Sequence, residues 1–384
     1  MPLALLDVTP DRGLEPFFGL ATKVYRGDPW YNAPARKDVR ASLFRADFTE
    51  TQRAWVALDG ARGNHPVARI VARRSPALRD GAGLPYGLLG FFEAVAGAEE
   101  AVGRLFDEAV RWLKEAGAGE VLGPMDGDTW HKHRLSVGPW DDPPFLLEPY
   151  NPRYYPALWE AHGFEVLESY ASKRVEPGLV AAHLEPKRQA ALDAGYRLRR
   201  LDTRRFREEL RRVYELSRVI FARNFLYTDV PEEEFLALYA GACSLIDPDL
   251  VWFAEAPGGG DAGFLFAYPD RFRAVAALRG RRDPLALLRF LLLRNEVDAV
   301  NVKTIGVLPQ HRRAGLGAAL IGQAHRVALE KGYRAANHCL FREGNPSGEM
   351  DGGTGRLLRR YHLYRFSSPS PREGGGEVGE GAGG

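Results

Sequence analysis

Residues 301–331, NVKTIGVLPQHRRAGLGAALIGQAHRVALEK, constrain the fold more than any other stretch of this chain. Residues 301–308 are rich in β-branched side chains and hold no internal breaker, which predicts a strand. Residues 309–317 form a basic turn with glycines at its end. From 318 to 331, Leu320, Ile321, Ala324, Val327 and Ala328 recur at helical spacing on one side. A strand that runs through a tight turn into a helix leaves the first helical N–H groups without intrahelical partners. The aligned peptide dipoles add partial positive charge there. Gly315 and Gly317 remove side chains that would hold a ligand off the backbone, and Arg312 and Arg313 add full charge. The stretch therefore predicts an anion cradle suited to a diphosphate. It is neither a GxGxxG fingerprint nor a nucleotide P-loop, because no GK[ST] closes it.

A chain of 384 residues suits two ordinary domains. Its net charge is only +2, and its arginines are interspersed with acids. Nothing resembles the basic stripe of a nucleic-acid binder. Cys243 and Cys339 stand far apart in apolar surroundings, so they form neither a disulfide framework nor a zinc site. The start, MPLALLDVTP, is too short for a signal peptide and lacks its basic residues. The most apolar run, 285–293, is interrupted by Arg289 and too short to span a bilayer. These features lead us to expect a soluble cytoplasmic protein, monomer or homodimer, with no nucleic-acid or membrane partner and no metal.

Along the first half, strands are expected at 3–8, 53–58, 67–73, 86–95, 120–125 and 165–175, with helices at 11–25, 99–116 and 151–164. A long excursion, 126–150, carries Trp130, His131, His133, Arg134 and Glu148, and loops on rigid scaffolds often carry binding groups. Two histidines two residues apart with no third ligand are weak metal evidence, and a structural or substrate-contact role suits them better. In the second half, Pro177-Gly178 reads as a linker. A short helix follows at 187–194, then a strand at 196–201 and helices at 204–224, 231–242 and 285–294. A hairpin at 250–256 and 262–268 and strands at 335–341 and 361–366 complete it. The tail from residue 367 is Gly-, Ser- and Glu-rich and expected to be disordered.

The pattern Val307-x-Pro309-x-x-Arg312-x-x-Gly315-x-Gly317, with Leu320-Ile321 behind it, resembles the acyl-CoA signature of the GNAT superfamily of N-acyltransferases. The core of that signature is (Q/R)-x-x-G-x-(G/A). Asn151…Tyr154…Leu158…Gly163-Phe164 resembles a later motif of the same family, and the order of elements in the first half resembles it too. There, however, the position of the cofactor turn reads EAVAGAE, without arginine and with carboxylates that repel a diphosphate. The expected architecture is thus α/β (α+β): two tandem GNAT-like domains, each a mixed, mostly antiparallel sheet flanked by helices. The degenerate domain spans 1–176, the acyl-CoA-binding domain 177–366 and the tail 367–384.

The resemblance implies roles. Ile305, Gly306 and Val307 would hold the pantetheine arm through the backbone. The amides of Arg313, Ala314, Gly315, Leu316, Gly317 and Ala318 would hold the diphosphate, with Arg312 or His311 near it. Asn345 stands where members place a polar cofactor contact, although Gly344-Asn345-Pro346-Ser347 is also good turn chemistry. Transfer needs a deprotonated amine, a polarised thioester and a proton for the leaving thiolate. Tyr361 and Tyr364 are candidate acids. Members often carry a Glu base on the central strand, but none occurs between 299 and 307, which leaves Glu296, Asp298, Glu255 or water. The resemblance implies transfer of acetyl, or another short acyl group, from acyl-CoA to the amine of a small-molecule or peptide acceptor. Two rivals stand beside it: a non-catalytic acyl-CoA-binding sensor or interaction protein, and an aminoacyl-tRNA-dependent transferase, which the balanced charge disfavours.

Overall fold

The computed structural model describes residues 3–44, 48–239, 246–279, 281 and 283–367. Cys243 and the tail beyond Ser367 lie outside these residues. The first half runs β1 (Ala4–Asp7), α1 (Leu14–Val24), α2 (Arg36–Leu43), α3 (Phe48–Thr51), β2 (Gln52–Asp59), β3 (His65–Arg79), β4 (Pro85–Ala94), α4 (Glu99–Glu115), β5 (Val121–Gly123), β6 (Leu135–Gly138), α5 (Tyr155–Ala161) and β7 (Phe164–Val175). The second half runs α6 (Pro177–Asp193), β8 (Arg197–Arg200), α7 (Phe206–Phe221), α8 (Glu232–Tyr239), β9 (Val251–Glu255), β10 (Asp261–Pro269), α9 (Phe272–Leu278), α10 (Pro284–Leu293), β11 (Ala299–Val307), α11 (Leu316–Glu330), β12 (Ala335–Arg342) and β13 (Arg356–Phe366).

The strands form one continuous sheet in the order β1-β2-β3-β4-β5-β13-β7-β12-β11-β10-β9-β8, with β6 pairing β13 at its side. Each wing is an antiparallel meander that ends in a parallel pair, β4 with β5 and β11 with β12. At the centre the chain crosses over. The last strand, β13, sits between β5 and β7, while β7 from the first half pairs with β12 of the second.

Helices cover the wings in matching positions. On α4, Val102, Leu105, Phe106, Ala109 and Leu113 pack with Phe92 and Trp159 into the first core. On α11, Leu320, Ile321, Ala324, Val327 and Ala328 pack with Val180 and Leu184 of α6 into the second. Burying a Leu or Ile is worth about 1.5–3 kcal/mol, so this stripe anchors α11 and fixes where its N-terminal turn lies.

Two expectations are corrected. Residues 177–178 are not a linker but the first turn of α6, a 17-residue helix. Pro177 occupies a first-turn position, where its missing N–H costs nothing, and Val180, Leu184 and Ala191 are buried. The excursion 126–150 is not wholly loop, because β6 forms within it and joins the central strand.

Candidate active site

β11 and β12 pair in parallel from Ala299↔Ala335 to Val302↔His338 and then part. Beyond that point β11 stays with β10 as far as Val307, and β12 stays with β7 as far as Arg342. Local irregularities turn the two strands away from each other. The β10–β11 register shifts between Phe266 and Ala267, opposite Lys303. The β12–β7 register shifts between His338 and Phe341, and Leu340 sits there at φ 49. Bulges of this kind bend strands and disrupt pairing. The edge of β11 from Lys303 to Val307 therefore faces a notch, and Ile305, Gly306 and Val307 lie along it.

The notch opens toward the turn. Residues Pro309–Ala314 form a 3-10 helix, and Gly315 at φ 71 caps the start of α11. No side chain caps that start. The bond from Ala319 N to Gly315 O (3.0 Å) is the first of the helix, so the amides of Leu316, Gly317 and Ala318 have no intrahelical acceptor. The two glycines differ in kind. Gly315 needs to be glycine for its left-handed backbone, and a Cβ there would meet nothing within 4 Å. Gly317 has no such backbone need. A Cβ on it would lie 3.4 Å from Met350 Cε and 3.8 Å from Ile305 Cδ1, so the turn is bordered by one flexible side chain rather than plugged.

The basic residues take separate parts. Arg312 folds back, its Nε donating to Val307 O (3.3 Å) and its Nη2 to Ile220 O (3.4 Å), which pins the turn to β11 and α7. His311 pairs its Nδ1 with Tyr196 OH (3.0 Å). Arg313 is exposed beside the bare amides. Asn345 Oδ1 accepts from Ser347 N (3.1 Å) and shapes its own turn.

On the sheet face away from α11, the notch meets a polar cluster that sequence reasoning did not assemble. Lys303, at the shifted register, is partly buried. Burial pushes its ammonium pKa down; the Cys339 thiol and Glu148 carboxylate oppose this and the Arg134 guanidinium adds to it. Glu148 comes from the excursion. It accepts from Arg359 Nε (2.7 Å), Phe145 N (3.0 Å) and the Tyr361 hydroxyl. Burial pushes its carboxyl up despite Arg359 and Tyr361. The Tyr361 hydroxyl also reaches Ser172 Oγ (3.1 Å), which accepts from Leu340 N (3.1 Å) at the β12 irregularity. Burial and Glu148 hold Tyr361 protonated, well above the ordinary phenol range. The excursion is tied to the second half by three further bonds. Trp130 Nε1 donates to Thr228 O (2.9 Å), Leu146 N to Asp270 Oδ1 (2.8 Å) and Tyr268 OH to Leu146 O (2.8 Å).

The structure does not bring Tyr364 to this cluster. It lies opposite Gly123 in the first wing and donates to Glu160 Oε1 (3.0 Å). Glu255 pairs with Arg199 (2.9 Å) at the outer strands, while Glu296 and Asp298 precede the far end of β11. His131 Nδ1 meets Asp128 Oδ1 (2.6 Å), and His133 is half-buried with its Nδ1 against His131 O (2.8 Å). Among the described residues no three His, Cys, Asp or Glu gather as a metal-ligand group. Lys303 left one signal in the sequence: it is a lone lysine inside an apolar strand of an arginine-rich chain. Glu148 left none beyond the aromatic density around it.

No family model matches the chain. The bacterial ceramide synthase of Caulobacter vibrioides is 24% identical over 380 residues, covering 94% of this chain and 96% of its own. A solved tandem GNAT protein from the clavulanic acid biosynthesis pathway superposes with a TM-score of 0.50 at 14% identity, over 97% of this chain and 100% of its own. The GCN5-related glucosamine N-acetyltransferase region of a fungal multi-domain β-N-acetylglucosaminidase gives 0.53 at 14% identity. That match covers 95% of this chain but only 38% of the larger fungal chain. At such identities the likeness is one of fold, and the fold is the tandem GNAT fold.

Proposed function

We propose that the protein is an acyl-CoA-dependent N-acyltransferase, with the donor along the free edge of β11 and its diphosphate on the turn before α11. The observation that carries this reading is the parting of β11 from β12 beyond Val302 and His338, at the end where α11 begins uncapped. Unsatisfied backbone groups in a concave site want a partner, and an extended amide-bearing arm ending in phosphates supplies both kinds.

The acceptor amine enters from the opposite sheet face. Lys303, with its lowered pKa, takes a proton from the incoming ammonium. The freed nitrogen attacks the thioester carbon, the carbon–sulfur bond breaks, Tyr361 gives its proton to the leaving thiolate, and the proton the nitrogen sheds on becoming an amide returns to the Tyr361 oxygen. Glu148 holds Tyr361 in place. The relative's name, ceramide synthase, supports a long-chain amino alcohol as acceptor and a fatty acyl-CoA as donor. Acetyl-CoA, the donor expected from the sequence, is the comparison arm.

CoA release measured with acetyl-CoA and palmitoyl-CoA, each against a long-chain amino alcohol and against a short polyamine, tests the reading. Turnover is expected with the palmitoyl donor and the amphiphilic amine. Turnover confined to acetyl-CoA and the polyamine would move the substrate class back to small molecules. Binding of acyl-CoA without CoA release from any pair would replace the enzyme with a sensor.

A further inference from the structure

Between β10 and β11 the chain leaves the sheet as the hairpin α9–α10. Its second helix reads PLALLRFLLL, with Arg289 as its one charged residue. Ala286 is buried, and Phe290 and Leu293 are half-buried. Leu285, Leu287, Leu288, Leu291 and Leu292 are 44–67% exposed. They occupy two adjoining flanks, 285–288–292 and 287–291, so the apolar surface is broad and convex. A helix on a water-facing surface turns its polar side outward, and this one does the reverse.

The charge around it is one-sided. The stretch 271–294 holds seven arginines and one aspartate in a chain whose net charge is only +2. That aspartate, Asp283, caps α10 through Ala286 N (3.2 Å) and pairs with Arg281 (2.6 Å). Arg273, Arg279, Arg289 and Arg294 are exposed. The acids that flank the hairpin are Asp270, committed to Leu146 N and Phe272 N, and Glu296 and Asp298 beyond its end. Two exposed apolar residues from the first half stand at its root. Trp30 lies 5.7 Å from the Phe272 ring, and Leu147 follows the residue bonded to Asp270 and Tyr268.

We propose that α9–α10 docks the protein on a bilayer surface rich in anionic phospholipid. The leucines of α10 enter the boundary between headgroups and acyl chains, and the arginines lie among the headgroup phosphates. Charge complementarity selects this occupant: a convex apolar ridge accompanied by the exposed guanidinium groups of Arg273, Arg279, Arg289 and Arg294 fits an anionic interface, whereas a protein groove grips one helical stripe. Among the described residues no helix is long and apolar enough to cross a membrane, so the hairpin lies on the surface. Its root carries Tyr268 and Asp270, which adjoin the Lys303–Glu148 cluster, so the docked face borders the acceptor side. The proposal stands whether or not the protein transfers acyl groups.

The test is co-sedimentation of the full chain with vesicles of phosphatidylcholine alone and of equal parts phosphatidylcholine and phosphatidylglycerol. The wild type is expected to bind the phosphatidylglycerol vesicles and to weaken as salt rises. The double variant Leu288→Ser, Leu292→Ser should lose at least about tenfold in partitioning, with an unchanged melting temperature. Arg289→Glu should lose binding to the anionic vesicles selectively. Wild-type protein that stays in the supernatant with both vesicle types overturns the proposal, as does a leucine double variant that binds as well as wild type. A wild-type dimer that the double variant converts to monomer, with no vesicle binding by either, overturns it in favour of a second copy covering the face.

Discussion

The two wings of the sheet start from the same scaffold and treat one edge in opposite ways. In the second wing β11 and β12 separate, and the edge from Lys303 onward meets a bare helix start. In the first wing the matching notch is closed by side chains and backbone alike. Beyond Leu88↔Leu122, Met125 N still donates to Leu89 O (2.7 Å), and Phe91 N donates to Asp126 Oδ1 (2.6 Å). Gly90 lies so close that a Cβ would fall 2.4 Å from Met125 O. At the end of β4, Ala94 N donates to Tyr155 OH (2.8 Å), and Ala94 O accepts from Tyr154 OH (2.7 Å). Tyr155 OH in turn donates to the buried Glu93 (2.7 Å). Glu99 and Glu100 then open α4, where the other wing has arginine and glycine. One strand order thus closes one edge and opens the other beside a helix start, and the cofactor site proposed above is the open one.

The largest expected effect separates the wings outright. Gly317→Glu places a carboxylate over the free amides and should weaken acyl-CoA binding by at least about 100-fold. A Cβ there meets the flexible Met350 at 3.4 Å and Ile305 at ordinary contact distance, 3.8 Å, so thermal stability should hold. Ala96→Glu, on the exposed turn of the first wing, should leave affinity unchanged. Titration calorimetry on both variants checks the pair, and similar losses in both would erase the asymmetry.

Next comes Lys303→Met. A positioned base contributes about 10²–10⁴-fold, so kcat should fall within that range while affinity for acyl-CoA stays within about twofold. The neutral amine is the active form, so wild-type activity should rise with pH through a lysine pKa set below the ordinary value. That limb should vanish in the variant. Unchanged turnover would remove Lys303 from the mechanism.

In the first wing the expected loss is structural. Tyr155→Phe leaves Ala94 N without its side-chain acceptor and takes one donor from Glu93, which keeps Arg69 at 3.8 Å, and should cost about 1–3 kcal/mol of stability, seen in denaturant unfolding, with acyl-CoA affinity intact.

The smallest effect concerns acid. His325 Nε2 and His338 Nε2 meet at 2.8 Å between α11 and β12. Burial pushes both down, His338 to about 4. The unfolded chain binds their protons first, so stability should be lost as pH falls from about 6.5 toward 4, by at most about 1.4 kcal/mol per unit for each histidine. Amide exchange should show protection falling earlier in α11 than in α4; equal loss in the two helices would contradict it.

What the sequence showed plainly was local. The cradle follows from glycine and arginine spacing and from one helical stripe, all within thirty-one residues. The carboxylates at the other turn were equally plain. What stayed hidden depends on contacts between distant parts of the chain. Glu148 meets Tyr361 across 213 positions, and no spacing rule predicts it. On β13, Tyr361 stands opposite Ser136 of β6 and Tyr364 opposite Gly123 of β5, so two residues three positions apart meet different partners. The start of α6 was hidden by Pro177-Gly178, which reads as a break when seen without its buried face. The exposure of α10 was hidden because an apolar run looks alike on a core and on a surface.

Amide hydrogen exchange of the whole protein with and without an acyl-CoA tests the central claim most directly. Bound donor should slow exchange at residues 304–307 and 313–318 and leave 90–100 unchanged. Protection at 90–100, or none at 304–318 under saturating donor, would contradict the account.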